Sequence, residues 1–133
     1  MIHITGETGL TGLLGSPVAH SISPLMHNYS FQSLGLDYVY LCFDVKEQGL
    51  KDAVQGLRAL NVKGFNLTMP DKNKVLEHLD ELSCAARPIG AVTTVENRDG
   101  RLLGTNTARL GFIRSVANQG LEIKGKTKPI QGH

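Results

Sequence analysis

Thr11-Gly12-Leu13-Leu14-Gly15-Ser16-Pro17-Val18-Ala19-His20-Ser21-Ile22-Ser23-Pro24-Leu25-Met26-His27-Asn28 passes from an apolar run ending in glycine, through a polar loop, into a helix start. The run reads as a short buried strand. Ser23 is expected to be the helix N-cap, with Pro24 in the first turn, where a missing N–H leaves nothing unpaired. That helix is predicted to reach about Leu34 and to stop at Gly35. Residues 37–44 (DYVYLCFD) are β-branched, aromatic and apolar, which predicts a central strand.

The alternation continues outward. From Lys46 to Asn61 the apolar positions Leu50, Ala53, Val54, Leu57 and Leu60 share one helical face. Residues 62–67 read as a third strand, and Pro70 opens a helix with Val75, Leu76 and Leu79 inward. Residues 91–95 and 101–104 flank Asn97-Arg98-Asp99-Gly100, whose Asp-Gly pair signals a hairpin. Thr107 is expected to cap a last helix carrying Leu110, Ile113, Val116 and Ala117 and ending at Gly120. The expected fold class is α/β, a three-layer αβα sandwich with a mostly parallel sheet and one antiparallel hairpin strand. Right-handed crossovers make the first three strands parallel neighbours. Ligands of such sheets bind beyond the carboxyl ends of the strands, so the loops after Leu14, Leu67 and Gly104 are expected to carry the chemistry.

Size and composition narrow the function. The 133 residues fit one compact domain, with 41% apolar and 20% charged residues. A net charge of +2 without a basic cluster points to neither nucleic acid nor an anionic membrane surface. The N-terminus lacks the features of a signal peptide, and no run of 18 apolar residues occurs. Cys42 and Cys84 match no metal spacing and read as two free core thiols, which suits a reducing cytoplasm. The five histidines are scattered without metal spacing, so no metal is expected. Residues 120–127 (GLEIKGKT) satisfy a phosphate-loop pattern, but Pro129 and Gly132 follow where a helix is required, and the match is dismissed.

Three segments sit where a ligand should. Ser21 and Ser23 flank one residue, so an extended backbone points both hydroxyls the same way, toward free amides at a helix start that suit a carboxylate. A plain cap and a turn residue account for them equally well. Lys72, in the first turn after Gly64-Phe65-Asn66-Leu67-Thr68-Met69-Pro70-Asp71, is placed for proton transfer or is a solvated surface lysine. Gly90-Ala91-Val92-Thr93-Thr94-Val95 with Gly104-Thr105-Asn106-Thr107-Ala108-Arg109-Leu110-Gly111-Phe112 reads only as a hairpin and a capped helix.

Taken in order, these segments resemble the shikimate dehydrogenase family. Its PVxHSxSPxMHN motif is matched by residues 17–28 and its NVTxPxK by residues 66–72, while GAVNT and NTDGxGF are present in altered form. The resemblance covers residues 11–112. It implies a reversible, NADPH-dependent reduction of 3-dehydroshikimate to shikimate in aromatic amino acid biosynthesis. Ser21 and Ser23 would hold the substrate carboxylate, Thr68 a ring hydroxyl, and Lys72 would be the acid/base group. Thr93 stands where the family has a substrate-binding asparagine, Ala108 where it has the aspartate paired with the lysine, and Arg109 where it has glycine. The resemblance further implies a substrate-binding domain over residues 1–120, a linker or tail over 121–133, and no NADP-binding Rossmann domain within this chain. On that basis no cofactor is expected to bind the chain alone, and turnover is not expected either. The alternative is a non-catalytic small-molecule binding or scaffold domain. Expected partners are shikimate, 3-dehydroshikimate or quinate, with a homodimer as a candidate assembly.

Overall fold

The computed structural model describes residues 3–84 and 86–106. Six strands form one sheet in the order β2-β1-β3-β5-β6-β4. β1 (Gly9–Gly15), β2 (Tyr38–Asp44) and β3 (Gly64–Leu67) are parallel neighbours, as the crossover rule requires. β5 (Thr94–Arg98) runs against both β3 and β6 (Arg101–Thr105), and β4 (Glu81–Leu82) lies parallel to β6. β5 is therefore the single reversed strand of a mixed sheet.

Alternation along β1 sends its side chains to opposite faces and so divides the core. Leu13 packs with Val18, Phe31, Tyr38 and Tyr40, beneath α1 (Ser23–Leu34). Leu14 packs on the other face with Phe65 and Leu67, and with Leu50, Val54 and Leu57 of α2 (Leu50–Ala59). Helices thus cover both faces. α1 ends as expected, at Gly35 with a left-handed φ of 68°.

The hairpin turn is tighter than the sequence reading. Arg98 pairs with Arg101, so the loop is only Asp99 (φ 53°) and Gly100 (φ 91°), the double positive φ of a primed turn. Asn97 lies in β5, buried, donating to the Val62 carbonyl at 2.9 Å and accepting from Gly100 N–H at 2.8 Å.

Four expectations are corrected, and one strand is added. Residues 37–44 form an edge strand, because only β1 pairs with β2 among the described residues; the outer side is met at Tyr40 by Asn28, whose side-chain amide donates to the Tyr40 carbonyl at 3.0 Å and accepts its N–H at 2.8 Å. Asn28 thereby mimics one rung of a missing strand. Leu60 is 73% exposed, because it is the C-cap residue just past the end of α2 at Ala59 and stands at the edge of the apolar face rather than at its centre. Ser23 is not the cap: it lies in the helix, and the Ser21 hydroxyl accepts its N–H at 3.1 Å. Cys84 is exposed, the nearby Ala86 taking the core position instead, while Cys42 is half-buried against the core beneath α1. β4 is an additional strand; two residues are too few to leave a pattern.

The helix after Pro70 is α3 (Asp71–Lys74), which tightens into a 3₁₀ turn over Val75–His78 while keeping Val75 buried. The expected last helix, the phosphate-loop look-alike, Ala108 and Arg109 lie outside the described residues.

Candidate functional site

A cavity of about 410 Å³ opens at the carboxyl ends of β1 and β3. The loop after β1 contributes Pro17, Val18, His20 and Ser21, and the start of α1 contributes Ser23 and His27. Thr68 follows β3, and Lys72 follows it in α3. Because β5 runs the opposite way, its beginning lies beside the end of β3, and this brings Thr93 to the same rim. Five of the six residues singled out in the sequence, Ser21, Ser23, Thr68, Lys72 and Thr93, therefore surround one space. Ala108 is outside the described residues.

Backbone hydrogen bonds tie these pieces together. Thr68 N–H donates to the Leu14 carbonyl at 2.9 Å, and Ser16 N–H to the Met69 carbonyl at 3.0 Å, locking the two loops side by side. Gly15 is required at this junction, since a Cβ there would collide with the Thr68 methyl and approach the Met69 carbonyl oxygen at 3.0 Å. Val92 N–H donates to the Lys72 carbonyl at 3.0 Å, and Leu67 N–H to that of Thr93 at 2.9 Å. The lysine and the threonine are thus fixed to each other through backbone.

The Ser21 hydroxyl accepts the Ser23 N–H at 3.1 Å, just ahead of the first turn of α1, and lies beside Cys42. Burial pushes the Cys42 thiol up, and the contact with Ser21 opposes this. Asp71, beside Lys72 in sequence, is fully buried with neither carboxyl oxygen hydrogen-bonded among the described residues. Its pKa is raised above 3.8, first by burial and then by the charges of Glu47 and Asp44.

Among the lining residues that sequence reasoning missed are His27, Tyr40 and Asn66. Tyr40 is fully buried, and its ring stacks on His27 with centroids 4.2 Å apart at 19°. The Tyr40 hydroxyl donates to Asn66 Oδ1 at 2.8 Å, while Asn66 Nδ2 donates to the Thr93 carbonyl at 3.3 Å and to Thr94 Oγ1 at 3.1 Å. A polar Asn66 inside the apolar strand Gly64–Leu67 was the available signal, because a buried amide must be paired.

The chemistry of the cavity suits a small polar anion: serine and threonine hydroxyls, an ammonium and a stacked aromatic pair line it. No group of three or more His, Cys, Asp or Glu among the described residues could hold a metal ion. The described residues do not fit a dinucleotide either. The turn from β1 to α1 carries no glycine-rich loop, and the Cβ position of its one glycine, Gly15, is occupied by Thr68. No helix among the described residues is long and apolar enough to cross a membrane.

Comparison with known proteins gives the site a context. Residues 13–95 match the model of the shikimate dehydrogenase substrate binding domain. The shikimate dehydrogenase (NADP(+)) of Alkaliphilus metalliredigens is 55% identical over 129 residues, covering 97% of this chain and 45% of the relative. The crystal structure of shikimate 5-dehydrogenase from Listeria monocytogenes in complex with shikimate and NAD superposes with a TM-score of 0.78 at 51% identity, covering 89% of this chain and 41% of that one. The ligand-free 5-ketofructose reductase of a Gluconobacter species gives 0.76 at 41% identity, covering 84% and 40%. The chain spans about half the length of the curated relatives it matches.

Proposed function

The chain belongs to the shikimate dehydrogenase substrate binding domain family, and from that premise we propose that its cavity holds shikimate or 3-dehydroshikimate for the NADPH-dependent, reversible reduction of 3-dehydroshikimate to shikimate. The observation that carries the proposal is the convergence of Ser21, Ser23, Thr68, Lys72 and Thr93 on one cavity at the end of the sheet. The two serine hydroxyls bind the carboxylate, Thr68 binds a ring hydroxyl, and the Lys72 ammonium donates a proton to the carbonyl oxygen as it gains negative charge. A cation at that point binds the transition state more tightly than the ground state.

The described residues supply no dinucleotide site, so the proposal for this chain alone is binding without turnover. Residues 1–120 are assigned as the substrate-holding unit and 121–133 as a linker or tail. Thr93, shorter than an asparagine, offers one hydroxyl and no carboxamide, which lowers affinity for a ring hydroxyl. Two free cysteines, one exposed, support a reducing cytoplasm as the location.

Calorimetric titration with shikimate tests the reading. Saturable binding is expected, weakened at least tenfold in Lys72→Met and in the double variant Ser21→Ala/Ser23→Ala, a loss of about 1.4 kcal/mol or more. Absence of heat or of any resonance shift at millimolar shikimate overturns it.

A further inference from the structure

Tyr40 and Asn66, two of the missed residues, are joined by a hydrogen bond that belongs to a longer chain of contacts. Asn28 in α1 grips the Tyr40 backbone from outside the sheet, at 2.8 and 3.0 Å. The Tyr40 hydroxyl reaches across β1 to Asn66 in β3. Asn66 reaches on to Thr93 and Thr94 at the start of β5. His27, Tyr40, Asn66 and Thr93 all line the same cavity.

This network decides which way the Asn66 carboxamide faces. A Tyr40 hydroxyl that donates requires an acceptor, so the oxygen of Asn66 lies on the Tyr40 side. The Thr93 carbonyl and the Thr94 hydroxyl together use both N–H groups on the other side. The Thr93 carbonyl also accepts Leu67 N–H, and Thr93 N–H donates to the Thr105 carbonyl at 3.0 Å. The strand start bearing Thr93 is therefore held on three sides, and one of those holds passes through Tyr40.

We propose that Tyr40 is a positioning residue for ligand recognition: by its hydroxyl it fixes Asn66, and through Asn66 the start of β5, so that the Asn66 carboxamide oxygen and the Thr93 side chain meet the ligand's ring hydroxyls. The proposal rests on the reading that the cavity takes a hydroxylated ring acid. Tyr40 does not donate to the ligand; its role is to remove the rotational freedom that the Asn66 amide otherwise has. Ligand groups recognised elsewhere, the carboxylate above all, do not depend on it.

That division supplies the test. Tyr40→Phe keeps the ring and its stack on His27 and removes only the O–H. Wild type and variant are titrated with shikimate and with 1-cyclohexene-1-carboxylate, which has the same carboxylated ring without hydroxyls. The expected result is a loss of about five- to tenfold for shikimate, the size of one hydrogen bond, with the hydroxyl-free acid unchanged within about twofold. Equal losses for both ligands would reduce Tyr40 to a structural residue, and no loss for either would remove it from recognition altogether; each result overturns the proposal. A second measurement needs no ligand: the Asn66 side-chain NH₂ and Thr94 amide resonances are expected to shift in Tyr40→Phe, and unchanged resonances also overturn it. If wild type binds neither acid while those resonances do shift, the fault lies with the proposed function and the positioning of Asn66 stands.

Discussion

Replacing Asp71 by asparagine is expected to stabilise the protein, and only above mildly acidic pH. Asp71 is fully buried at the start of α3, its two oxygens meet no hydrogen-bond donor among the described residues, and Glu47 and Asp44 add negative potential. Burial, reinforced by those two charges, raises its pKa above the ordinary 3.8, so the folded state binds the proton more tightly than the unfolded state does. Stability is then highest near and below the unfolded pKa and declines as pH rises through the folded one, where the buried group must ionise. An unpaired buried charge costs more than the about 1–3 kcal/mol of a neutral polar group, and asparagine removes the charge while leaving the polarity, so a gain of about 1–2 kcal/mol is expected at pH 8. For a domain of this size that is roughly a 3–8 °C rise in Tm. Thermal unfolding of both proteins from about pH 4 to pH 8 reads the effect, because the other carboxylates cancel in the difference. The gap between variant and wild type should close as pH falls toward 4. A variant less stable than wild type at pH 8, or a gap that does not change with pH, would refute the reasoning.

Two further substitutions test the frame around the cavity. Gly15→Ala drives a methyl group into Thr68, so a loss of about 1–3 kcal/mol in denaturant unfolding is expected, together with weaker shikimate binding, because Thr68 must move. Asn28→Ala leaves the Tyr40 N–H and carbonyl without their side-chain partner; a loss of about 1–3 kcal/mol is expected. Hydrogen exchange should then accelerate at the Tyr40 amide more than at its neighbours in β1, and uniform acceleration of both strands would count against the clamp.

Local chemistry was legible in the sequence wherever it was decided locally. Gly35 stopped α1 and Asp99-Gly100 turned the hairpin, because helix ends and primed turns are fixed by the residues themselves, whereas Ser21, Ser23, Thr68 and Lys72 stood out only through the resemblance of two long motifs to a known family. What escaped was decided by distant partners. Residues 37–44 look like a central strand because their inner face is one; the outer edge is met by Asn28, a helix residue whose role no strand pattern encodes. Tyr40 reads as core packing, and only its pairing with Asn66, 26 positions away, makes it part of the cavity wall. Ser23 and Leu60 failed through a shift of one or two residues at a helix end, where capping geometry rather than periodicity sets the boundary. Cys84 failed because composition near a turn says little about which side chain turns inward.

The reversal of β5 has an evolutionary corollary. In an all-parallel sheet every strand offers a ligand its last residues, which the rest of the strand has already committed to the interior. Here one strand offers its first, and Thr93 stands ahead of the inward-facing Val95 rather than behind it. Exchange of the side chain at 93 can therefore retune what the pocket accepts while the interior stays as it is, so this doorstep is where relatives with different substrates are expected to diverge first.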